Sequence, residues 1–216
     1  TRSCTKHNYL VKDVKQVQNS LFEGHSIAFS GRPGPVVIDL PKDVQNNKAK
    51  YISNFVIDKK IKKTYQNVLA TSEDISKAVD MMIHSKKPVI YIGGGLINSG
   101  NKATKELKKL TELTNFPVTS TLMGLGAFPA SNKLFLGMLG MHGTYESNMA
   151  MHDCDLMINI GARFDDRITG RLDGFSPKSK KIHIDIDPSS INKNVEVDLS
   201  LIGDATKILR LVNKKL

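Results

Sequence analysis

Five short apolar runs recur between residues 88 and 202 of this 216-residue chain, and each stops on glycine or aspartate. Pro88-Val89-Ile90-Tyr91-Ile92 ends in Gly93-Gly94-Gly95, and Pro117-Val118-Thr119-Ser120-Thr121-Leu122 leads to Gly124-Leu125-Gly126. Asp155–Ile160 meets Gly161, Lys181–Ile186 meets Asp187-Pro188, and Leu199–Ile202 meets Gly203-Asp204. Short runs of this kind read as strands. Between them, apolar residues fall at helical spacing: Ile75, Val79, Met82 and Ile83; then Leu107, Leu110 and Leu113; then Tyr145 to His152; and finally Ala205–Lys214. Ser72 with Glu73 and Asp74 opens the first of these helices, with acid near the positive end of the helix dipole. Alternating strands and helices build a parallel sheet with right-handed crossovers. The predicted class is therefore α/β, a Rossmann-like doubly wound sheet. Such sheets bind ligands beyond the carboxyl ends of their strands, which singles out the loops after residues 92, 122, 160, 186 and 202.

The first part of the chain reads differently. Val14, Val17, Leu21, Ile27 and Ala28 predict a helix over 13–30, and Gly31-Arg32-Pro33-Gly34-Pro35 stops it. Val36-Val37-Ile38-Asp39-Leu40 predicts a buried strand that Pro41 ends. Residues 44–70 are polar and rich in lysine (Lys48, Lys50, Lys59, Lys60, Lys62, Lys63) and read as an irregular surface linker.

Several functions are disfavoured by composition. The formal net charge of +10 suggests nucleic-acid binding, but only six of the 31 basic residues are arginine, and asparagine and isoleucine are plentiful. That bias points to genome composition spread over a solvated surface. Aromatics make up 6% and tryptophan is absent, so platforms for stacking bases are poorly supplied. Neither a nucleic-acid partner nor a membrane partner is expected. The chain has no apolar run of eighteen residues and no apolar targeting segment at its start, and the missing initiator methionine suggests a chain cut from something longer. Cys4 and Cys154 are too far apart in sequence to suggest a metal knuckle or disulfide framework, which fits a reducing, cytoplasmic compartment.

The strand ends hold the candidate chemistry. Gly93-Gly94-Gly95 would let backbone approach a ligand, or would simply make a tight turn. It fails the dinucleotide fingerprint, because Asn98 stands where a third small residue belongs and no acid closes the next strand. Leu139-Gly140-Met141-His142-Gly143-Thr144 places an imidazole between glycines. Gly161–Arg171 holds three of the six arginines, Arg163, Arg167 and Arg171, in a chain that otherwise uses lysine. A planar guanidinium suits phosphate, carboxylate or a flat ring, although a surface Arg–Asp cluster would look the same. Asp185, Asp187 and Asp204 could accept from ribose hydroxyls or serve as helix caps. So many equipped loops suit a long cofactor laid across the sheet edge. No residue pattern points to paired carboxylates, a triad or a metal site, so no catalytic residue and no metal ligand is assigned.

These residues resemble the large, catalytic subunit of the acetolactate synthase family, which depends on thiamine diphosphate. The resemblance spans essentially the whole chain. It rests on Thr5–Val11, Gly31-Arg32-Pro33-Gly34-Pro35-Val36, Pro41-Lys42-Asp43-Val44, Leu139–Thr144, Gly161–Gly170 and His183–Asp187. The resemblance implies the C-terminal part of a thiamine-pyrimidine-binding domain over 1–47, a linker over 48–70, and a central FAD-binding-type domain over 71–216. It also implies an enzyme of branched-chain amino-acid biosynthesis, a transferase that condenses pyruvate with pyruvate or 2-oxobutyrate and releases carbon dioxide. Thiamine diphosphate and Mg²⁺ would act elsewhere in the full-length enzyme, with the activating glutamate upstream of residue 1 and the diphosphate site downstream of residue 216. The fragment alone is then expected to be inactive.

Carried over by position, the implied FAD contacts are Arg32, Gly94, Thr121, Leu122, Leu139, Gly140, Met141, His142, Gly161, Ala162, Arg163, Phe164, Asp165, Asp185, Ile186, Asp204 and Ala205. Lys42 and Arg167 resemble residues of the substrate channel. A homodimer or tetramer of catalytic subunits and a regulatory small subunit are the implied partners. The alternatives are another thiamine-diphosphate enzyme, an oxidase or decarboxylase, and a non-catalytic nucleotide-binding module.

Overall fold

A computed structural model describes residues 1–53 and 70–216. Most of the expected linker, including Lys59, Lys60, Lys62 and Lys63, lies outside the described residues. The chain divides into two compact units, Thr1–Asn67 and Val68–Leu216.

In the first unit, strand β1 (His7–Leu10) is joined through helix α1 (Val17–Phe29) to strand β2 (Val36–Asp39), and the strands pair in parallel with His7 opposite Val36. β1 was not expected, because His-Asn-Tyr-Leu carries no apolar run. Gly24 brings α1 down onto β2: a Cβ there would sit 3.0 Å from Cδ1 of Ile38. The Lys6 ammonium donates to the carbonyls of Ile27 (2.6 Å) and Ser30, where the negative end of α1 lies. Partial burial there lowers the Lys6 pKa. Gly31, at φ +52°, then turns the chain away, as the glycine-proline cluster predicted. Helix α2 (Lys42–Asn46) corrects the irregular reading that began at residue 44: Pro41 opens it, and Val44 packs inward at 2% exposure.

The second unit is a six-stranded, wholly parallel sheet with the order β5-β4-β3-β6-β7-β8. Its strands are β3 (Pro88–Ile92), β4 (Val118–Ser120), β5 (Phe135–Met138), β6 (Leu156–Ile160), β7 (Lys180–Asp185) and β8 (Leu199–Ile202). All five expected strands are present, although β4 is shorter than expected because Thr121 starts a 3-10 turn over Leu122–Gly124. β5 was not expected: its Phe-Leu-Gly-Met stretch is only half buried, at the edge of the sheet. Helices α3 (Ser72–His84), α4 (Gly94–Asn98), α5 (Asn101–Thr114), α6 (Tyr145–Asp153), α7 (Asp166–Thr169) and α8 (Ala205–Lys215) surround the sheet. The short α4 and α7 were also missed, since five and four residues leave no periodicity to read. Thr71, not Ser72, caps α3, in a reciprocal capping box with Asp74.

Side-chain alternation along the strands makes two cores. Ile90, Ile92, Ile158, Ile160, Ile182 and Ile184 face one way, against Met82 of α3, Leu107 and Leu110 of α5, and Leu209 and Val212 of α8. Val89, Tyr91 and Met157 face the other way, against Leu139, Met151 of α6 and Phe164. No described helix is long and apolar enough to cross a membrane.

Candidate functional site

Because all six strands run in one direction, all six carboxyl-terminal loops open on one edge. The chain builds β3, β4 and β5 outward to one side, then returns to add β6, β7 and β8 on the other. The switch point, where such sheets bind ligands, therefore lies between the ends of β3 and β6. Gly93-Gly94-Gly95 leaves one of those ends and Gly161 leaves the other.

The glycines there have separate jobs. A Cβ on Gly93 would lie 2.4 Å from the carbonyl oxygen of Gly161, so Gly93 is needed for packing between loops. Gly95 serves the same contact and donates its amide to the Gly161 carbonyl at 2.9 Å. Gly94 is different: its missing Cβ would face the Met123 side chain at 3.2 Å, so it lines the crevice. Gly161 itself sits at φ +63°. Asn159, fully buried in β6, holds the loop by donating to the Ala162 carbonyl at 2.8 Å and accepting from the Ala162 amide at 3.1 Å.

Beyond β4, Thr121 Oγ1 accepts from the Gly124 amide at 3.0 Å and shapes the turn. That turn leaves Leu122 and Met123 67% and 72% exposed. Beyond β5, Gly140 lies at φ +103°, and a Cβ there would meet the Arg167 carbonyl at 2.8 Å. The Met141 amide donates to that same carbonyl at 3.3 Å, which ties the Leu139–His142 loop to the start of α7. Met141 is 71% exposed and His142 is exposed beside it.

Beyond β6, Ala162 and Phe164 turn their side chains into the second core. Arg163 stays exposed between them, and its guanidinium is 4.0 Å from Asp165 Oδ2. Asp165 caps α7 by accepting from the Arg167 amide at 3.3 Å. Hydrogen bonding with the Asp166 side chain and with that amide, then the charges of Arg163 and Arg167, hold the Asp165 carboxyl below its ordinary pKa. Arg167 lies 4.0 Å from Asp166, and Arg171 lies 2.7 Å from Asp173. The three arginines thus each have an acidic neighbour, as the Arg–Asp cluster reading anticipated, and the contacts of Arg163 and Arg167 are long.

Beyond β7, Asp185 Oδ1 accepts from the Asp187 amide at 2.8 Å, and Asp187 in turn caps the 3-10 turn at Pro188–Ser190. Beyond β8, Asp204 caps α8 through the Lys207 amide at 3.2 Å, with Ala205 buried behind it. Gly94, Thr121, Leu122, Leu139–His142, Gly161–Asp165, Asp185, Ile186, Asp204 and Ala205 thus all fall on this one edge. Arg32 and Lys42 belong to the first unit, where Arg32 follows the left-handed Gly31 and Lys42 opens α2. Among the described residues, no cluster of three or more histidines, cysteines or acids could hold a metal. Cys154 is buried, and desolvation raises its pKa, which does not suit a nucleophile.

One feature of the sheet was not read from the sequence. Thr119, Tyr91, Asn159, His183 and Ser200 stand side by side on adjacent strands, forming a polar row one position before the ends of β3, β4 and β6. The first four are 0% exposed. The signal was available: Tyr91 and Asn159 each occupy the penultimate position of their apolar run.

This edge, with its switch-point glycines, belongs to a wholly parallel α/β domain of the class that binds ligands beyond the carboxyl ends of its strands. Residues 75–212 match the family model described as thiamine pyrophosphate enzyme, central domain, and the chain belongs to that family. It is 44% identical over 97% of its length to a protein named acetolactate synthase large subunit from Haemophilus influenzae, and covers 36% of that protein. It is 45% identical over 97% of its length to acetolactate synthase isozyme 3 large subunit from Escherichia coli, again covering 36%. Over its full length it is 44% identical to acetolactate synthase, chloroplastic, from Arabidopsis thaliana, and covers 32% of it. The chain thus spans about a third of the length of the curated relatives it matches.

Proposed function

We propose that this chain is the cofactor-holding middle part of an acetolactate synthase large subunit, within an enzyme that joins two 2-oxo acids and releases carbon dioxide. One observation carries the reading. The two sequence motifs that best mark the resemblance, Leu139–Thr144 and Gly161–Gly170, are tied together by the Met141–Arg167 hydrogen bond on the ligand-binding edge of a thiamine-enzyme central domain.

FAD fits the residues of this edge. Five strand spacings of ~4.8 Å give the crevice a length of about 24 Å, enough for an extended cofactor. Leu122 and Met141 offer exposed apolar surface to a flat ring, and Gly94 leaves its backbone open to approach beside Met123. Arg163 offers donors to the phosphates, and Asp185 and Asp204 offer carboxylates to hydroxyl groups at the adenosine end. The contribution of Ala162 is to the loop's shape, since Asn159 takes both of its backbone polar groups. Arg167, with its side chain 78% exposed, is assigned to the path of the 2-oxo acid, whose carboxylate a guanidinium fork suits. Thiamine diphosphate with Mg²⁺, held elsewhere in the longer protein, would supply the carbanion chemistry, and FAD would be structural.

The first unit is assigned to the closing part of a larger thiamine-binding α/β domain. A two-stranded parallel sheet does not stand alone, and Leu10, Leu21, Phe22 and Phe29 leave apolar surface exposed. Assembly of catalytic subunits, with a regulatory small subunit, is supported by the words "large subunit" in the relatives' names. Two free cysteines suit a reducing, cytoplasmic setting.

The test is acetolactate formation from pyruvate in the presence of thiamine diphosphate, Mg²⁺ and FAD. The full-length protein should form it, and the 216-residue chain alone should not. No product from the full-length protein would overturn the reading, and turnover by the chain alone would overturn the division of labour.

A further inference from the structure

His183 is an expensive residue for its position. Its ring is 0% exposed in the middle of the sheet, and neither ring nitrogen has a hydrogen-bond partner. A buried polar group without a partner carries an uncompensated desolvation cost, so an apolar side chain of similar size would hold the sheet together better. In the same row Asn159 holds Ala162 and the Thr119 hydroxyl donates to the Gly137 carbonyl at 3.0 Å, while the Tyr91 hydroxyl, like the imidazole, has no partner.

The arrangement around His183 is directional. Asp185 lies two residues further along β7 and so projects from the same face of the sheet. Its Oδ2 is 3.6 Å from His183 Nε2, and Asp185 is only 11% exposed. Its other oxygen is held by the Asp187 amide at 2.8 Å. The Phe164 ring stands edge-on to the imidazole, with centroids 5.3 Å apart and an interplanar angle of 71°, and limits how the imidazole can turn.

We propose that His183 is a positioning residue for the Asp185 carboxylate. From beneath, its Nε2–H braces Oδ2 while the Asp187 amide braces Oδ1. The remaining lone pairs are then fixed toward the crevice, where they accept from the hydroxyls of a bound nucleotide's ribose. The role rests on the flavin reading above. An imidazole that meets its one partner when a ligand settles the carboxylate offsets its cost of burial at that moment.

The experiment combines two measurements on the full chain. In a fluorescence titration with FAD, His183→Leu should weaken binding roughly tenfold, the loss of one charge-assisted hydrogen bond, while its urea midpoint stays level or rises. His183→Gln, which keeps a donor, should recover most of the affinity. In an Asp185→Ala background, His183→Leu should have no further effect. Wild-type affinity in His183→Leu, or an equal loss in the Asp185→Ala background, would overturn the role.

The second measurement is ¹⁵N NMR of the imidazole in the FAD-loaded chain, which should show a slowly exchanging ring N–H that disappears in Asp185→Ala. Its absence from the unsubstituted chain would overturn the pair even if His183→Leu fails to fold. A wild-type chain that takes up no FAD would overturn the flavin reading and this role with it.

Discussion

The Gly95 amide donates to the Gly161 carbonyl at 2.9 Å, and a Cβ on either residue would sit 2.7 Å from the Cα of the other. This backbone contact closes the base of the crevice at the point where the sheet reverses its order of growth. It fixes the distance between the two loops that carry Gly94 and Arg163.

Gly95→Ala should therefore destabilise the chain by about 1–3 kcal/mol, since both partners are backbone and neither can swing aside. Gly94→Ala should cost less than Gly95→Ala, because its Cβ would sit 3.2 Å from the Met123 Cβ rather than 2.7 Å from backbone, yet it should weaken FAD binding. Urea denaturation and a flavin titration on the two variants separate the roles. Equal stability losses would contradict the assignment of Gly94 to the crevice.

Tyr91→Phe should be neutral or stabilising by up to about 1 kcal/mol. The hydroxyl is buried with no hydrogen-bond partner, so its removal relieves an unmet polar group. Burial, reinforced by the Asp165 charge, pushes the Tyr91 pKa far above its ordinary value, so the phenol stays neutral. A measured loss above about 1 kcal/mol would assign that hydroxyl a partner.

Much of the fold was legible because its strands are covered on both faces. Five short, apolar-rich strands alternating with helical spacing admit little other than a parallel sheet. β1 and β5 were not legible: β1 carries polar residues and β5 is a half-buried edge strand, so neither makes an apolar run. The site was legible as an edge, through glycine and aspartate at strand ends. What the residues do there was less so. Spacing could not tell that Gly93 and Gly95 pack against the Gly161 loop while Gly94 abuts Met123, since that depends on Gly161, 66 positions past Gly95. The buried polar row was legible only in part: Tyr91 and Asn159 stand out in their runs, but strand register alone brings the members together.

At neutral pH, Asp74→Ala should cost about 0.5–1 kcal/mol, since the carboxylate accepts from Thr71 in the capping box and lies at the positive end of α3. The Thr71 hydrogen bonds, the backbone one first, depress the Asp74 pKa. A carboxyl with a depressed folded-state pKa stabilises above its unfolded value of ~3.9 and loses that contribution as pH falls through the folded value. The cost of Asp74→Ala should therefore shrink as the pH drops below ~4. A pH-independent cost in thermal unfolding would contradict this.

Arg167→Ala in the full-length protein should lower acetolactate formation while leaving flavin content intact, because the side chain is 78% exposed and supports no core contact. Arg163→Ala should do the reverse and lower flavin affinity roughly tenfold, the loss of one charge-assisted contact to phosphate. Steady-state assays and flavin absorbance distinguish the two.

The central claim is that the carboxyl edge of β3–β8 holds FAD. Titrating FAD into the full-length protein and following the quenching of flavin fluorescence tests it most directly. The account predicts saturable binding of one flavin per chain, weakened by Arg163→Ala and by Asp185→Ala without loss of fold. Binding that neither substitution changes, or no binding at all, would contradict it.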